Sequence, residues 1–476
     1  MKKNAVLLII ISILMLCVCT VRRKGNLTSR ESKDFIIRYA MELTKNIKEK
    51  RKRKEKYEIM LKAVMAYYQA GKKEKGLKIL SEVLENSMQL KDINDREDLL
   101  EKTAEKYAAI GMFSKAVEIA QKTKNRLQED YTLLLISKHV PIERDELLHN
   151  IVTMIHNQHY RMKIFVRMAC EAQEKGDRNK EALFLKQALD TVYKVEKIEG
   201  VYYQIRAYLE LALIYNTFDK RPEALQLLSD ANKRIQKEPA DAAVQYLINE
   251  TSPKFALAYA RMGQFEKALG FVEKIQKPFF KVYGLGLIAE EYYKAGQKDT
   301  ACDLLNKALK ISETIRVTSM YWLFEDDFGS GISGKSHAKT YIVLKYLKWN
   351  KLNKALETAE KIEEIDYKIY SMIFFAEKYA ENGHKERAVE ILSKAFKQTI
   401  TIEYYCSKQI LLCNIAEVYM NIGQLQKALT VIQHIENDYW KADALMNIGI
   451  KHMKTGHTID KQSKRLLEKM IGVRDK

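Results

Sequence analysis

Proline and glycine are scarce in this chain, which holds 5 Pro and 19 Gly in 476 residues. Sheet-rich folds need a turn about every eight to twelve residues, usually built with Gly, Pro or Asn. So few glycines cannot supply that density, and an all-β fold is excluded. Long helices with few breakers fit instead. Apolar residues are not lacking: 47% are hydrophobic and 30% charged, too apolar and too regularly patterned for a disordered polyelectrolyte despite a formal net charge of +19. Sequence signatures of catalysis are missing too. No HExxH zinc helix or G-x-S-x-G elbow occurs, and neither an enzyme nor a cofactor is expected.

Cysteine is equally sparse. Cys17 and Cys19 belong to an N-terminal apolar run, leaving Cys170, Cys302, Cys406 and Cys413. All four read as helical positions with buried thiols rather than a disulfide framework. Cys406 and Cys413, seven apart on one helix, would lie about 10 Å apart, too far for a bridge.

The apolar run extends from Ala5 to Val21, after Lys2 and Lys3 and before Arg22, Arg23 and Lys24. It reads as a signal peptide or N-terminal membrane anchor over residues 1–21, which makes the protein membrane-associated or exported, with a cytoplasmic-facing anchor as the alternative. Residues 22–57 form a basic juxtamembrane helical segment. Within it Lys50, Arg51, Lys52, Arg53 and Lys54 offer an anionic-lipid contact, each basic group near such a surface contributing about 1 kcal/mol. A solvated helix end is the plainer reading of the same charges.

From residue 58 onward a pattern recurs around turn residues at 71, 111, 219, 263, 296, 350, 383 and 423, all Gly except Asp219 and Asn350. Four residues earlier stands Tyr67, Tyr107, Tyr215, Tyr259, Tyr292, Tyr346, Tyr379 or Tyr419. Seven earlier comes a small or β-branched residue, such as Val64, Ala104 or Ala289, and five later a small one, such as Gly76, Ala116 or Ala301. The positions seven and four before the turn share one helical face, so a small residue and a ring form a packing seam. Gly supplies a left-handed stop, and the small residue beyond it lets the second helix approach closely. Each unit is thus a helix, a tight turn and a second helix. Successive turns are 33 residues apart from Gly263 to Gly296 and 40 apart from Gly383 to Gly423, about two extra helical turns. A degenerate unit surrounds Gly176, and another the stretch ISKHVPIERDELLHN.

These residues resemble the tetratricopeptide repeat family, with Ile288 to Leu309 the nearest match and residues 58 to 471 covered. The proline that usually closes that family's repeat is largely missing, as are most of its leading Trp residues. The resemblance implies an all-α fold: an α-solenoid, a right-handed superhelix of about ten or eleven hairpins over 58–476, with an inserted loop at about 317–336. It also implies that first helices line a concave face that holds peptides or partner proteins. Pentatricopeptide repeats share the turn Gly and following Ala, but their Gly-x-x-Pro-Asp ends are absent.

Six residues before the turn stand Glu105, Glu290, Glu377 and Glu417, and four after it Lys75, Lys115, Lys267, Lys354, Arg387 and Lys427. If first helices line the groove, the glutamates give it an acidic stripe for a basic or amphipathic peptide. Ordinary helix-surface charge is the plainer reading. Members of the family that grip C-terminal carboxylates use Lys and Asn ten and six residues before the turn. Here those places read Leu61 and Met65, Glu101 and Glu105, Ile373 and Glu377, and Cys413 and Glu417, so that clamp is absent.

GSGISGKS, with Gly329, Gly334, Lys335 and Ser336, satisfies the phosphate-loop pattern. Its context argues against it, because Glu325, Asp326 and Asp327 precede the loop where a buried strand should end. An inter-repeat insertion with Ser336 capping the next helix is expected instead. His149, His156 and His159 fall along one predicted helix, but without a metal-ligand pattern they read as surface or packing residues.

The leading expectation is therefore a non-enzymatic scaffold that binds a protein or peptide along its concave face. Nucleic-acid binding driven by the +19 is the alternative, disfavoured by the targeting segment and the acidic groove positions. A nucleotide-binding regulatory arm stands third.

Overall fold

The computed structural model describes residues 34–47, 53–238, 242–316, 334–455 and 459–470. Among them are 23 helices and no strand. A leading helix, α1 (Phe35–Thr44), precedes α2 (Arg53–Gln69) and α3 (Lys73–Met88), α4 (Ile93–Ala109) and α5 (Phe113–Ala120), and α6 (Arg126–Ser137) and α7 (Asp145–Met154). Next come α8 (Gln158–Glu174) and α9 (Arg178–Glu199), α10 (Val201–Thr217) and α11 (Arg221–Gln236), α12 (Ala242–Arg261) and α13 (Phe265–Glu273), and α14 (Pro278–Lys294) and α15 (Lys298–Ser312). The last are α16 (Lys335–Lys348) and α17 (Leu352–Glu360), α18 (Ile365–Glu381) and α19 (Lys385–Thr399), α20 (Tyr405–Asn421) and α21 (Leu425–Gln433), and finally α22 (Asp438–Thr455) and α23 (Lys461–Met470). The chain divides into two compact units, one joining residues 1–102 to 379–476, the other spanning 103–378. We call them the terminal and the central unit.

The turns follow the sequence pattern. Gly71, Gly111, Gly176, Gly263, Gly296, Gly383 and Gly423 all have positive φ, and so do Asp219 and Asn350, each at 56°. Short polar side chains tolerate that left-handed conformation better than any others except Gly. At each of the eight Tyr-bearing turns the next residue's N–H bonds back to the carbonyl of the preceding Tyr, as from Lys72 to Tyr67 at 2.8 Å and from Gln424 to Tyr419 at 2.8 Å. This six-to-one bond is the Schellman stop, which satisfies a carbonyl that the helix end would leave bare.

The seam is equally literal. Ala104, Ala212, Ala256, Ala289, Ala376 and Ala416 before the turn, and Ala116, Ala224, Ala268, Ala301, Ala355, Ala388 and Ala428 after it, are all fully buried. Where the earlier position is the larger Val64, its counterpart shrinks to Gly76, whose missing Cβ would stand 3.3 Å from the Val64 carbonyl oxygen. The recurring lysine four residues past the turn also has a structural partner. The ammonium groups of Lys75, Lys267, Lys354 and Lys427 lie 4.1 to 5.9 Å from the ring centroids of Tyr67, Tyr259, Tyr346 and Tyr419. At that distance a cation is attracted to the ring face, so these lysines close their own hairpins.

The repeat-closing proline is replaced by side chains. Asp130 accepts hydrogen bonds from the N–H groups of His156 and Asn157, and Asn249 from those of Gln276 and Lys277. The Ser336 hydroxyl accepts from Glu364 N–H, and the Gln409 amide oxygen from Glu436 N–H. Each donor lies 26 to 28 residues further along the chain, at the entry to the next hairpin. A polar side chain early in one first helix thus holds the connection that leads into the following one.

In the terminal unit α1 packs against α22. Its Ile36, Ile37, Ala40 and Leu43 are buried, with Gly449 of α22 beneath Ile36 and Ile37. Asp34, just before α1, is buried and pairs with Lys72 at 2.8 Å, and Lys62 of α2 pairs with Asp443 of α22.

Several expectations change. The membrane-associated or exported placement is corrected: among the described residues no helix is long and apolar enough to cross a membrane. The apolar run of residues 5–21 lies outside the described residues. Lys50, Arg51 and Lys52 also lie outside them, and Lys54 pairs with Asp98 at 2.6 Å instead of facing outward alone. The basic segment 22–57 contains the packed helix α1, and residue 58 falls inside α2 rather than at a boundary. His149 and His159 stand on different helices, because the chain leaves α7 at Met154 and re-enters helix at Gln158. Ser336 does not cap α16; Gly334 occupies the N-cap and Ser336 is buried within the first turn. Cys406 is exposed.

Candidate partner-binding face

The first helices of successive hairpins, α8, α10, α12, α14, α16 and α18, present side chains to one another across the repeats of the central unit. Two tiers of aromatic residues form there. Phe279 of α14 lies 5.4 Å from His337 of α16, which stacks at 5.9 Å on Tyr367 of α18. Tyr283 of α14 lies 5.2 Å from Tyr341 of α16. The Tyr341 ring fits only because residue 286 is Gly, since a Cβ there would overlap the ring carbons. Phe279, Tyr283, His337, Tyr341, Tyr367 and Tyr370 are half-buried, neither sealed in the core nor fully exposed.

An ionic network occupies the same faces of α8, α10 and α12. His159 Nε2 lies 2.8 Å from a Glu210 carboxylate oxygen, with Lys163 at 3.9 Å. The Tyr202 hydroxyl donates to Glu250 at 2.5 Å, and the Arg206 guanidinium stands 5.7 Å from the Tyr202 ring centroid. Burial alone would raise the Glu210 pKa, but the His159 hydrogen bond and the charges of Lys163 and Lys254 outweigh it and hold the carboxyl at about 2. Burial and the Arg206 charge push Lys254 downward, against the pull of Glu210 and Glu250.

The glutamates that the sequence placed along a groove are not bare acids. Glu290 is held between Lys345 and Lys348 of α16, with Lys348 at 2.6 Å. Burial opposes its ionisation, yet those two hydrogen bonds prevail and hold its carboxyl at about 2. Glu417, in the terminal unit, pairs with Lys451 at 2.6 Å, and Glu105 lies 3.3 Å from Lys106 and 3.8 Å from His139. Glu377 is not free either. Of the phosphate-loop residues, Gly329 lies outside the described residues, Lys335 faces Glu313 at 3.9 Å, and the Ser336 hydroxyl is occupied by Glu364 N–H. Among the described residues no group of three or more His, Cys, Asp or Glu is arranged to hold a metal ion.

The residues that do converge were visible as an offset. Tyr202, Phe279 and His159 lie 17 residues before their turns, Lys163, Arg206, Glu250, Tyr283 and His337 lie 13 before, and Glu210, Lys254 and Tyr341 lie 9 before. Spacings of four follow one helical face, but that face lies beyond the short first helix of the usual repeat.

The two depressed carboxyls predict an acid sensitivity with a definite sign. Each has a folded pKa of about 2 against an ordinary 4.5, so the ionised form favours the folded state. That contribution is fully present above about pH 4.5 and is lost as pH falls towards 2. It amounts to about 3 kcal/mol per group as an upper limit. Between pH 6 and pH 3, urea midpoints of Glu210→Gln and Glu290→Gln should fall less than that of the unaltered protein. Parallel losses would show that neither carboxyl carries the effect.

Fold and face together define an all-α, tetratricopeptide-like helical repeat protein. No protein-family model matches the chain, and no curated protein does either. Among solved structures it is similar to Ton1535 from Thermococcus onnurineus NA1, at 14% identity over 75% of this chain and 98% of that one, with a TM-score of 0.25. It is also similar to PH0952 from Pyrococcus horikoshii, a signal-transduction ATPase with a tetratricopeptide repeat sensor, at 14% identity over 70% and 54%, TM-score 0.29. A third similarity is to a monomeric mutant of IFIT1 with Gppp-AAAA, at 13% identity over 85% and 95%, TM-score 0.29. At these values the likenesses carry no argument about function.

Proposed function

We propose that this protein is a non-catalytic scaffold that holds a protein or peptide partner along the first-helix faces of its central unit. The half-buried aromatic tiers of α14, α16 and α18 carry this reading. Rings left partly open in a continuous row offer a partner large, rigid apolar contacts at small entropic cost, the kind of surface on which binding energy concentrates. Exposed Tyr203 and Tyr246 extend aromatic character to α10 and α12.

The test is photocrosslinking in cells of the source organism, with benzoyl-phenylalanine in place of Tyr283 or Tyr370 on first helices and of Lys307 or Lys310 on a second helix. Protein adducts concentrated on Tyr283 and Tyr370 are expected. Equal yields from both helices, or adducts to RNA alone, would overturn the reading.

A further inference from the structure

The ionic network of α8, α10 and α12 is unbalanced. Lys163, Arg206 and Lys254 bring three cationic groups to Glu210 and Glu250. The two carboxylates are already engaged, Glu210 by His159 and Glu250 by Tyr202. Arg206 makes no ion pair within 4 Å among the described residues; its side-chain partner is the neutral Tyr202 hydroxyl, and its buried Nε has no hydrogen-bond partner. A guanidinium has five donors in a planar fork matched to a carboxylate. Leaving one without a carboxylate at a half-buried position is costly unless something else arrives to meet it. Burial is the main push that lowers the Lys254 pKa, and the charges of Arg206 and Lys163 add to it.

We propose that Arg206, with Lys163 and Lys254 beside it, is an anion-binding site that receives a carboxylate side chain of an acidic peptide segment. This inference rests on the scaffold reading and names the chemistry of its partner. It differs from the basic or amphipathic peptide suggested by the glutamate positions, because Glu105, Glu290 and Glu417 already pair with lysines. The Tyr202 ring forms one wall, and its hydroxyl, which donates to Glu250, can engage only part of the Arg206 fork. The carboxylate would complete a charge-assisted, bidentate pair, the strong form of such contacts.

The experiment is fluorescence anisotropy on the full chain with fluorescein-labelled hexaglutamate, using labelled hexalysine and a labelled hexauridine RNA as the other arms. Hexaglutamate is expected to bind and hexalysine not to bind. Arg206→Met and Lys163→Gln should each weaken hexaglutamate about tenfold, the loss of one charge-assisted contact. Arg206→Lys should weaken it less than Arg206→Met, and Glu250→Gln, which removes a competing carboxylate, should strengthen it several-fold. Urea midpoints identify any variant that has lost its fold, and Lys163, half-exposed, keeps the test open if Arg206→Met is one of them. Absent hexaglutamate binding, or binding unmoved by all four substitutions, overturns the proposal. So does tighter binding of hexauridine with the same sensitivity to substitution, which would make the ligand a phosphate backbone. Protein crosslinks at Tyr283 without hexaglutamate binding refute this inference alone, whereas loss of both refutes the scaffold as well.

Discussion

Gly449→Val is expected to destabilise the protein by about 3 kcal/mol, the upper end of the cost of overpacking, and to release α1 from α22. A Cβ at Gly449 would stand 2.8 Å from Ile37 Cγ1, 3.0 Å from the Ile37 backbone nitrogen and 3.3 Å from Ile36 Cβ. A side-chain end can turn aside, but a backbone nitrogen moves only with its helix. The strain is therefore relieved by undocking α1, which returns Ile36, Ile37, Ala40 and Leu43 to water. Hydrogen exchange reads this directly: amides of α1 should lose protection in the variant while those of α10 keep theirs. Gly449→Ala should fall between the two. Unchanged protection of α1 in Gly449→Val would show that the contact is looser than it stands. The physical role of α1 is to cover the apolar side of α22, which would otherwise meet water.

Asp130→Ala is expected to cost a similar amount, about 3 kcal/mol, for a different reason. Asp130 is buried and accepts from His156 N–H at 3.0 and 3.1 Å and from Asn157 N–H at 2.7 Å. Removing the carboxylate takes a charged acceptor from both donors at the entry to α8, and a hydrogen bond to a charged group contributes about 1.5 to 3 kcal/mol. Asp130→Asn keeps one acceptor oxygen and should lose only about 1 kcal/mol. Urea midpoints of the three proteins decide the matter. A midpoint for Asp130→Ala within about 0.5 kcal/mol of the unaltered protein, the range of an ordinary surface substitution, would sink the account.

Much of the hairpin was legible residue by residue. A left-handed stop after a helix depends on one residue and its neighbours, so the Gly at 71, 111, 263, 296, 383 and 423, and even Asp219 and Asn350, could be placed from spacing alone. The same holds for the Ala and Tyr of the seam, whose neighbours lie within one hairpin. The candidate face was less legible. Lys345 and Lys348 meet Glu290 from 55 and 58 residues away, and Tyr202 meets Glu250 from 48. A whole second helix separates such partners in the chain, so their charges read as separate stripes. The ring partner of the recurring lysine past the turn was hidden for a related reason: it lies eight residues back across the turn, as with Lys75 and Tyr67.

By itself, then, the sequence determined the kind of unit, its turns, its internal seam and the order of units, because each is set by contacts within about 40 residues. Only the tertiary structure decided which first-helix side chains face one another, which charges are neutralised and which guanidinium is left over. It also decided that α1 docks on a helix some four hundred residues away. No periodicity records such pairings. They arise when stacking brings faces together and the cost of burying a charge or an apolar surface selects what must cover it.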